Sequence, residues 1–454
     1  MIARRGLSGT TARRQWRLAG LCLLTGLSAA AVAQDGGRYT GVASCAGSTC
    51  HGRAEGNGEV VRQDEIATWQ EPSSSTGAHS RALAVLGSLR GRQIAATLGL
   101  GEPASEPACL GCHATFVPAA EQGPRFQTSD GVGCETCHGA AGGWIATHYT
   151  TLGTHPANVA AGLTPLENPQ VRAGVCLDCH YGSAGGNRFV THRMMAAGHP
   201  RIVFELDLFS ALQQHHDEDD DYRRRKGRTD SVVLWAVGQA EAVRRSADLF
   251  ARPGFGTDGI FPEFYFYDCH SCHRQISDGP QRRLTFEPNP GRAIPFAQPP
   301  FNDENAIMLS AVSRVLAPGQ AQAFESASMN FHRAMGQGRG EAAEAALRLR
   351  DAAAALSDVL AGGSGDAFAV IAAIADRTTS PRFTDYAGSA QAVMAVDTLL
   401  NALVREGRVT VGAAAGIRAD INRAYEAVRS PEGYNPVRFR AALGQAAGAI
   451  GTLR

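Results

Sequence analysis

The sequence predicts a mainly α-helical protein made of two unlike parts. Three observations carry that expectation. Ten of the eleven cysteines fall in five short Cys–His clusters between Cys45 and His273, and none lies beyond. After a Pro-rich stretch that includes Pro280, Pro288, Pro290, Pro295, Pro299 and Pro300, the composition turns Ala-rich, with one histidine, His332. In that second part apolar residues recur every three or four positions between Gly and Pro stops, the period of an amphipathic helix.

Taken in order, the chain opens with a basic segment (Arg4, Arg5, Arg13, Arg14, Arg17), an apolar run from Leu18 to Val32 and a small-x-small site at Ala31–Ala33. Residues 1–33 read as a secretory signal peptide, and the run is too short for a membrane span. The mature chain is then expected to have no transmembrane segment and to work outside the cytoplasm, in a bacterial periplasm. Cys22, the one cysteine outside the clusters, goes with the leader. Losing five arginines and no acid leaves 38 basic against 43 acidic residues, a net charge of −5. That balance argues against nucleic-acid binding.

Residues 34–290 carry the clusters. Four are Cys-x-x-Cys-His: CLGCH (Cys109, Cys112, His113), CETCH (Cys134, Cys137, His138), CLDCH (Cys176, Cys179, His180) and CHSCH (Cys269, Cys272, His273). The remaining cluster, CAGSTCH (Cys45, Cys50, His51), is the first in chain order, CHSCH being the fifth, and has four residues between its cysteines instead of two. This is the attachment signature of haem c: two thiols add across the vinyl groups and the adjoining histidine takes the iron from the proximal side. Zinc sites and redox dithiols also use paired cysteines, but neither requires a histidine after every second one. The expected cofactor is about five covalent haems c. With so many groups in the core, the region needs little regular structure, and helices are expected only at Ser80–Leu98, Val203–His215 and Ser231–Ala251. The acidic-then-basic run from His215 to Arg228 reads as a solvated loop.

Residues 291–454 read as a linker and a bundle of antiparallel helices. Helices are expected at Asn305–Leu316, Gln320–Met335, Glu341–Leu360 and Asp385–Arg405, around Ile417–Val428, and after Pro436. No catalytic constellation stands out there.

Nine histidines lie outside the proximal positions. His270 sits inside a motif, and His215 and His216 fall in the charged run. His79, His148, His155, His192, His199 and His332 remain as candidate distal ligands for five irons. His148/His155 and His192/His199 share a spacing of seven, so each pair could serve two different haems.

The segments YTGVASCAGSTCHG, Trp69…His79-Ser80, PACLGCHAT, DGVGCETCHG with Trp144 and His148-Tyr149, VCLDCH and THRMMAAGHPRIVFEL resemble the exported multihaem cytochromes c of the c-552/c-554 type. The resemblance covers about residues 39–280. It implies a mainly helical domain around closely stacked, mostly bis-His haems and a role in passing single electrons between redox partner proteins; the CAGSTCH motif and the long C-terminal helical bundle depart from the family. The expected function is therefore electron transfer rather than enzymatic turnover. Two alternatives stay open: an oxidoreductase acting on a small nitrogen or sulfur oxide at one five-coordinate haem, and a docking subunit whose bundle binds a partner. The oligomeric state is not legible.

Overall fold

The computed structural model describes residues 37–56, 62–186, 188–216, 218–227, 229–259, 261–274, 292, 294 and 298–454. The expected leader at residues 1–33 and most of the Pro-rich stretch lie outside the described residues.

The described residues up to 230 form turns and short helices: α1 (Glu65–Gln70), α2 (Leu89–Leu98), α3 (Pro107–His113), α4 (Cys134–His138), α5 (His155–Ala160), α6 (Pro169–His180), α7 (His192–Ala196), α8 (Leu206–Leu212) and α9 (Asp220–Lys226). Polar side chains start most of them by accepting an orphan backbone N–H: Ser88 for α2, Thr154 for α5, Asn168 for α6, Thr191 for α7 and Glu205 for α8. Pro107, Pro156 and Pro169 occupy the first turns of α3, α5 and α6, where no N–H is needed. Two expected helices are shorter than their apolar spacing suggests. The 80–98 helix begins only at Leu89, because Ser88 caps it behind a 3₁₀ turn at Ala84–Gly87. The 203–215 helix is confined to Leu206–Leu212.

The helix α10 (Ser231–Ala251) occupies its expected bounds, capped by Asp230 and followed by Pro253. Sixteen of its 21 residues are buried, so it has no solvent face in the ordinary sense. It packs on α6 and α8 from the first part. A two-residue antiparallel hairpin, β1 (Thr257–Asp258) with β2 (Phe261–Pro262), follows it.

Among the described residues the second part is seven helices: α11 (Glu304–Leu316), α12 (Pro318–Ala334), α13 (Arg339–Ala361), α14 (Ala367–Thr378), α15 (Tyr386–Arg405), α16 (Val411–Ala427) and α17 (Pro436–Gly451). α11 and α13 also pack on α10. Leu177 of α6, Trp235 and Leu249 of α10, Leu309 of α11, Leu356 of α13 and Leu400 of α15 belong to one apolar core. Each such side chain contributes about 1.5–3 kcal/mol on burial. The residues on either side of the expected boundary near 290 thus share a core, which makes the bundle continuous with the first part. α15 is long and apolar enough to cross a membrane by composition, but 72% of that stretch is buried inside the protein, as a core helix would be.

Candidate functional site

Each of the five motif histidines faces one histidine from outside the motifs. The ring centres are 6.3 Å apart for His51 and His148, 6.3 Å for His113 and His199, 6.1 Å for His138 and His215, 6.2 Å for His180 and His79, and 6.2 Å for His273 and His192. An imidazole nitrogen lies roughly 1.1 Å from its ring centre, and a metal–imidazole bond is about 2.0 Å, so two axial rings on one metal stand about 6.2 Å apart. The spacing fits a single iron between each pair.

The other nitrogen of these rings supports the same fit. Nδ1 of His113, His148, His199 and His215 donates to the carbonyl of Ala82, Ile145, Pro200 and Gln213, each at 2.8 Å. Nδ1 of His51 meets Glu65 Oε2 at 3.0 Å, and that carboxylate raises the His51 pKa. Fixing the proton on Nδ1 leaves the Nε2 lone pair free for a metal. Burial lowers the pKa of His138 and of His180 to about 4, so both rings are neutral, the ligand form.

Two of the six candidate histidines stand away from the motif histidines, and His215, outside the six, stands opposite one. His155 points Nε2 at Glu167 Oε1, 2.5 Å away. His332 is buried in the bundle, with Nε2 2.7 Å from Asp303 Oδ2. In both, the nitrogen a haem would need is bonded to a carboxylate, and neither ring faces a motif histidine. His215, assigned from sequence to a solvated loop, stands opposite His138. It lies three residues past the end of α8, and the helix expected at Val203–His215 was the signal that could have separated it from the acidic run. His192 and His199, seven apart, face the fifth and second motifs respectively.

All ten motif cysteines are unpaired thiols. Burial raises Cys137 to about 11 and Cys176 to about 12, whereas hydrogen bonds with Cys134 and Cys112 lower Cys45 and Cys179. Among the described residues no group of three or more His, Cys, Asp or Glu side chains converges as a metal cage. Cys45 reaches the Cys134 thiol and Cys112 reaches Cys179, so motifs distant in sequence are neighbours in space.

A predominantly apolar cavity of about 2040 Å³ is lined by the cysteines and both histidines of the first four pairs. Ordinary single-ligand pockets hold roughly 300–1,000 Å³. The fifth pair lies outside that cavity's lining. Glu135, between the cysteines of the third motif, is buried and accepts backbone N–H bonds from Thr40, Gly41 and Ala141 at 2.7–2.8 Å. This carboxylate ties the start of the chain to α4.

Residues 44–139 match the family described as cytochrome c554 and c-prime. That segment is similar to the c554-type cytochromes c. It holds the first three motifs, those of His51, His113 and His138. No curated protein and no solved structure matches the chain. The match supports covalently bound haem c and an electron-transfer role, and the matched segment contains Cys45, Cys50, Cys109, Cys112, Cys134 and Cys137.

Proposed function

We propose that this cytochrome carries five haems c, each held between two histidines, and passes single electrons along them between redox partner proteins outside the cytoplasm. The one-to-one facing of five motif histidines with five others carries this reading. When bound, haem supplies the one-electron iron couple. The chain's own residues do the rest. His51, His113, His138, His180 and His273 serve as proximal ligands, and His148, His199, His215, His79 and His192 as distal ones. Glu65 and the carbonyls of Ala82, Ile145, Pro200 and Gln213 hold five of these rings in orientation, as outer partners of metal ligands do.

A relay needs its centres close together, because tunnelling falls steeply with distance. The shared cavity and the neighbouring thiols of motifs one and three, and two and four, support such closeness. The pairing also favours a carrier over an oxidoreductase, since every motif histidine has a facing ring where an oxide substrate would otherwise bind. The basic leader followed by an apolar run supports export. Haem content by mass and pyridine haemochrome assay, with spin state by EPR, tests the reading: five low-spin haems are expected, and a high-spin haem that binds nitric oxide would favour the enzyme.

A further inference from the structure

The outer ring nitrogen of His51 has a different kind of partner from those of four other paired histidines. Nδ1 of His113, His148, His199 and His215 donates to a neutral backbone carbonyl. Nδ1 of His51 donates to a carboxylate, Glu65 Oε2, at 3.0 Å. A carbonyl is enough to fix the tautomer and orientation of a ring. A carboxylate does that and adds a negative charge.

The chain is built to deliver this carboxylate. Glu65 is the first residue of α1, and its side chain is 12% exposed. Its other oxygen, Oε1, accepts the Gln63 backbone N–H at 3.2 Å. The Ile66 N–H donates to the His51 carbonyl at 3.0 Å, which ties α1 to the motif. Gln63 has φ +69°, and among the described residues it is the one non-glycine with a positive φ. Side chains rarely adopt that conformation. Here it lets the chain turn back on the motif. The Gln63 side chain accepts from Arg53 Nη1 at 2.9 Å and donates to the Thr49 carbonyl at 3.1 Å. The loop that aims Glu65 is thus fastened to the residues on both sides of Cys50 and His51.

We propose that Glu65 is a positioning residue that lowers the reduction potential of the haem between His51 and His148. The inference rests on the reading that a haem occupies the CAGSTCH motif. The carboxylate draws the Nδ1 proton toward itself, and Nε2 becomes a stronger donor to iron. A stronger donor and a mostly buried negative charge behind it both favour ferric over ferrous iron. On the opposite side His148 has the neutral Ile145 carbonyl. The position of this haem gives the lowered potential a use. Residues 46–50 of CAGSTCH are exposed, whereas CLGCH, CETCH and CLDCH contain no exposed residue. Cys45 reaches Cys134 of the third motif. An electron from a redox partner takes the first iron to ferrous, and passing it to the third haem returns that iron to ferric. The carboxylate adds to the driving force of this inward step.

The test is a redox titration of the full holoprotein, wild type against Glu65→Gln, followed by absorption and EPR. Gln offers an amide oxygen to the same Nδ1–H, so orientation is kept and charge is removed. One potential should rise, with its ferric–ferrous equilibrium moved about tenfold toward ferrous, about 59 mV for one electron. The ring planes of His51 and His148 meet at 15°, so the signal that moves should be of the ordinary rhombic class. Unmoved potentials with five low-spin haems would overturn the proposal and leave Glu65 an orienting contact alone. Movement confined to a strongly anisotropic signal would also overturn it. If Glu65→Gln does not accumulate, near-infrared magnetic circular dichroism of the oxidised wild type decides. One porphyrin-to-iron band displaced to higher energy supports a strengthened donor, and coincident bands overturn it. A Cys45–Cys50 peptide without haem in the mass spectrum would instead refute the reading beneath the proposal.

Discussion

Which ring nitrogen is already bonded distinguishes three of the proposed distal ligands from His155 and His332, while His270, whose Nδ1 also donates to a carbonyl, is set apart because it faces no motif histidine. His148, His199 and His215 spend Nδ1 on a carbonyl and keep Nε2 free, whereas His155 and His332 spend Nε2 on a carboxylate. Counting histidines along the chain could not reveal this, because a ring's orientation depends on backbone that arrives from elsewhere. The proximal residues were legible since chemistry fixes their place beside the cysteines. The distal ones are placed only by the fold. The expected consequence is specific: His215→Ala should convert one haem to the high-spin state, while His155→Ala and His332→Ala should leave every haem low-spin. Absorption and EPR spectra of the three variants check it.

At the scale of elements, α10 was fully readable and α2 and α8 were not. α10 has a long apolar period, a capping Asp230 and a stop at Pro253, so every local signal agrees with its tertiary role. In α2 and α8 the apolar spacing continued past the true ends, and side-chain caps at Ser88 and Glu205 set the starts. α14 was not among the expected helices, although Phe368, Ile371 and Ile374 of AFAVIAAIADRT recur at helical spacing and are buried. The helical form of the motifs themselves, α3, α4 and the end of α6, carried no periodic signal. The closeness of α10 to α8 gives a direct test. A Cβ at Gly238 would stand 2.6 Å from the Leu206 Cβ. Gly238→Ala should therefore destabilise the protein by about 1–3 kcal/mol, measured by chemical denaturation, because neither helix can yield without moving the core.

At the scale of the molecule, the shift to Ala-rich composition after the Pro-rich stretch is real, but it does not mark a separable body. α11 and α13 cover α10, and the buried cluster of Arg292, Asp303, Asp385 and His332 joins the bundle to the fifth motif. A chain ending at residue 300 would leave much of α10 bare and is expected to aggregate or be degraded. A soluble, well-folded product of that length would argue against the shared core. The cluster also imposes a pH dependence on the whole fold. Asp385 has its folded pKa raised from 3.8 to about 7, so between those values the unfolded chain has lost a proton that the folded chain keeps. Its contribution is full below about pH 4, falls as pH rises to 7, and is flat above. Asp303 is shifted downward, so its contribution is present above its ordinary value and is lost in acid. Wild type minus Asp385→Asn, compared by denaturation at a series of pH values, should show stability declining from pH 4 to 7.

The central claim is five irons, each between two histidines. Ring planes in the pairs meet at 15° for His51/His148 and 36° for His192/His273, but at 69°, 83° and 89° for His79/His180, His113/His199 and His138/His215. Crossed axial rings leave two iron d orbitals nearly equal in energy and spread the g values widely, whereas parallel rings separate them. The most direct measurement is therefore the EPR spectrum of the oxidised protein, with haem content determined on the same sample. The account predicts five haems, all low-spin, with about three in a strongly anisotropic class and at least one in an ordinary rhombic class. Four haems, or a high-spin signal in the intact wild type, would contradict it.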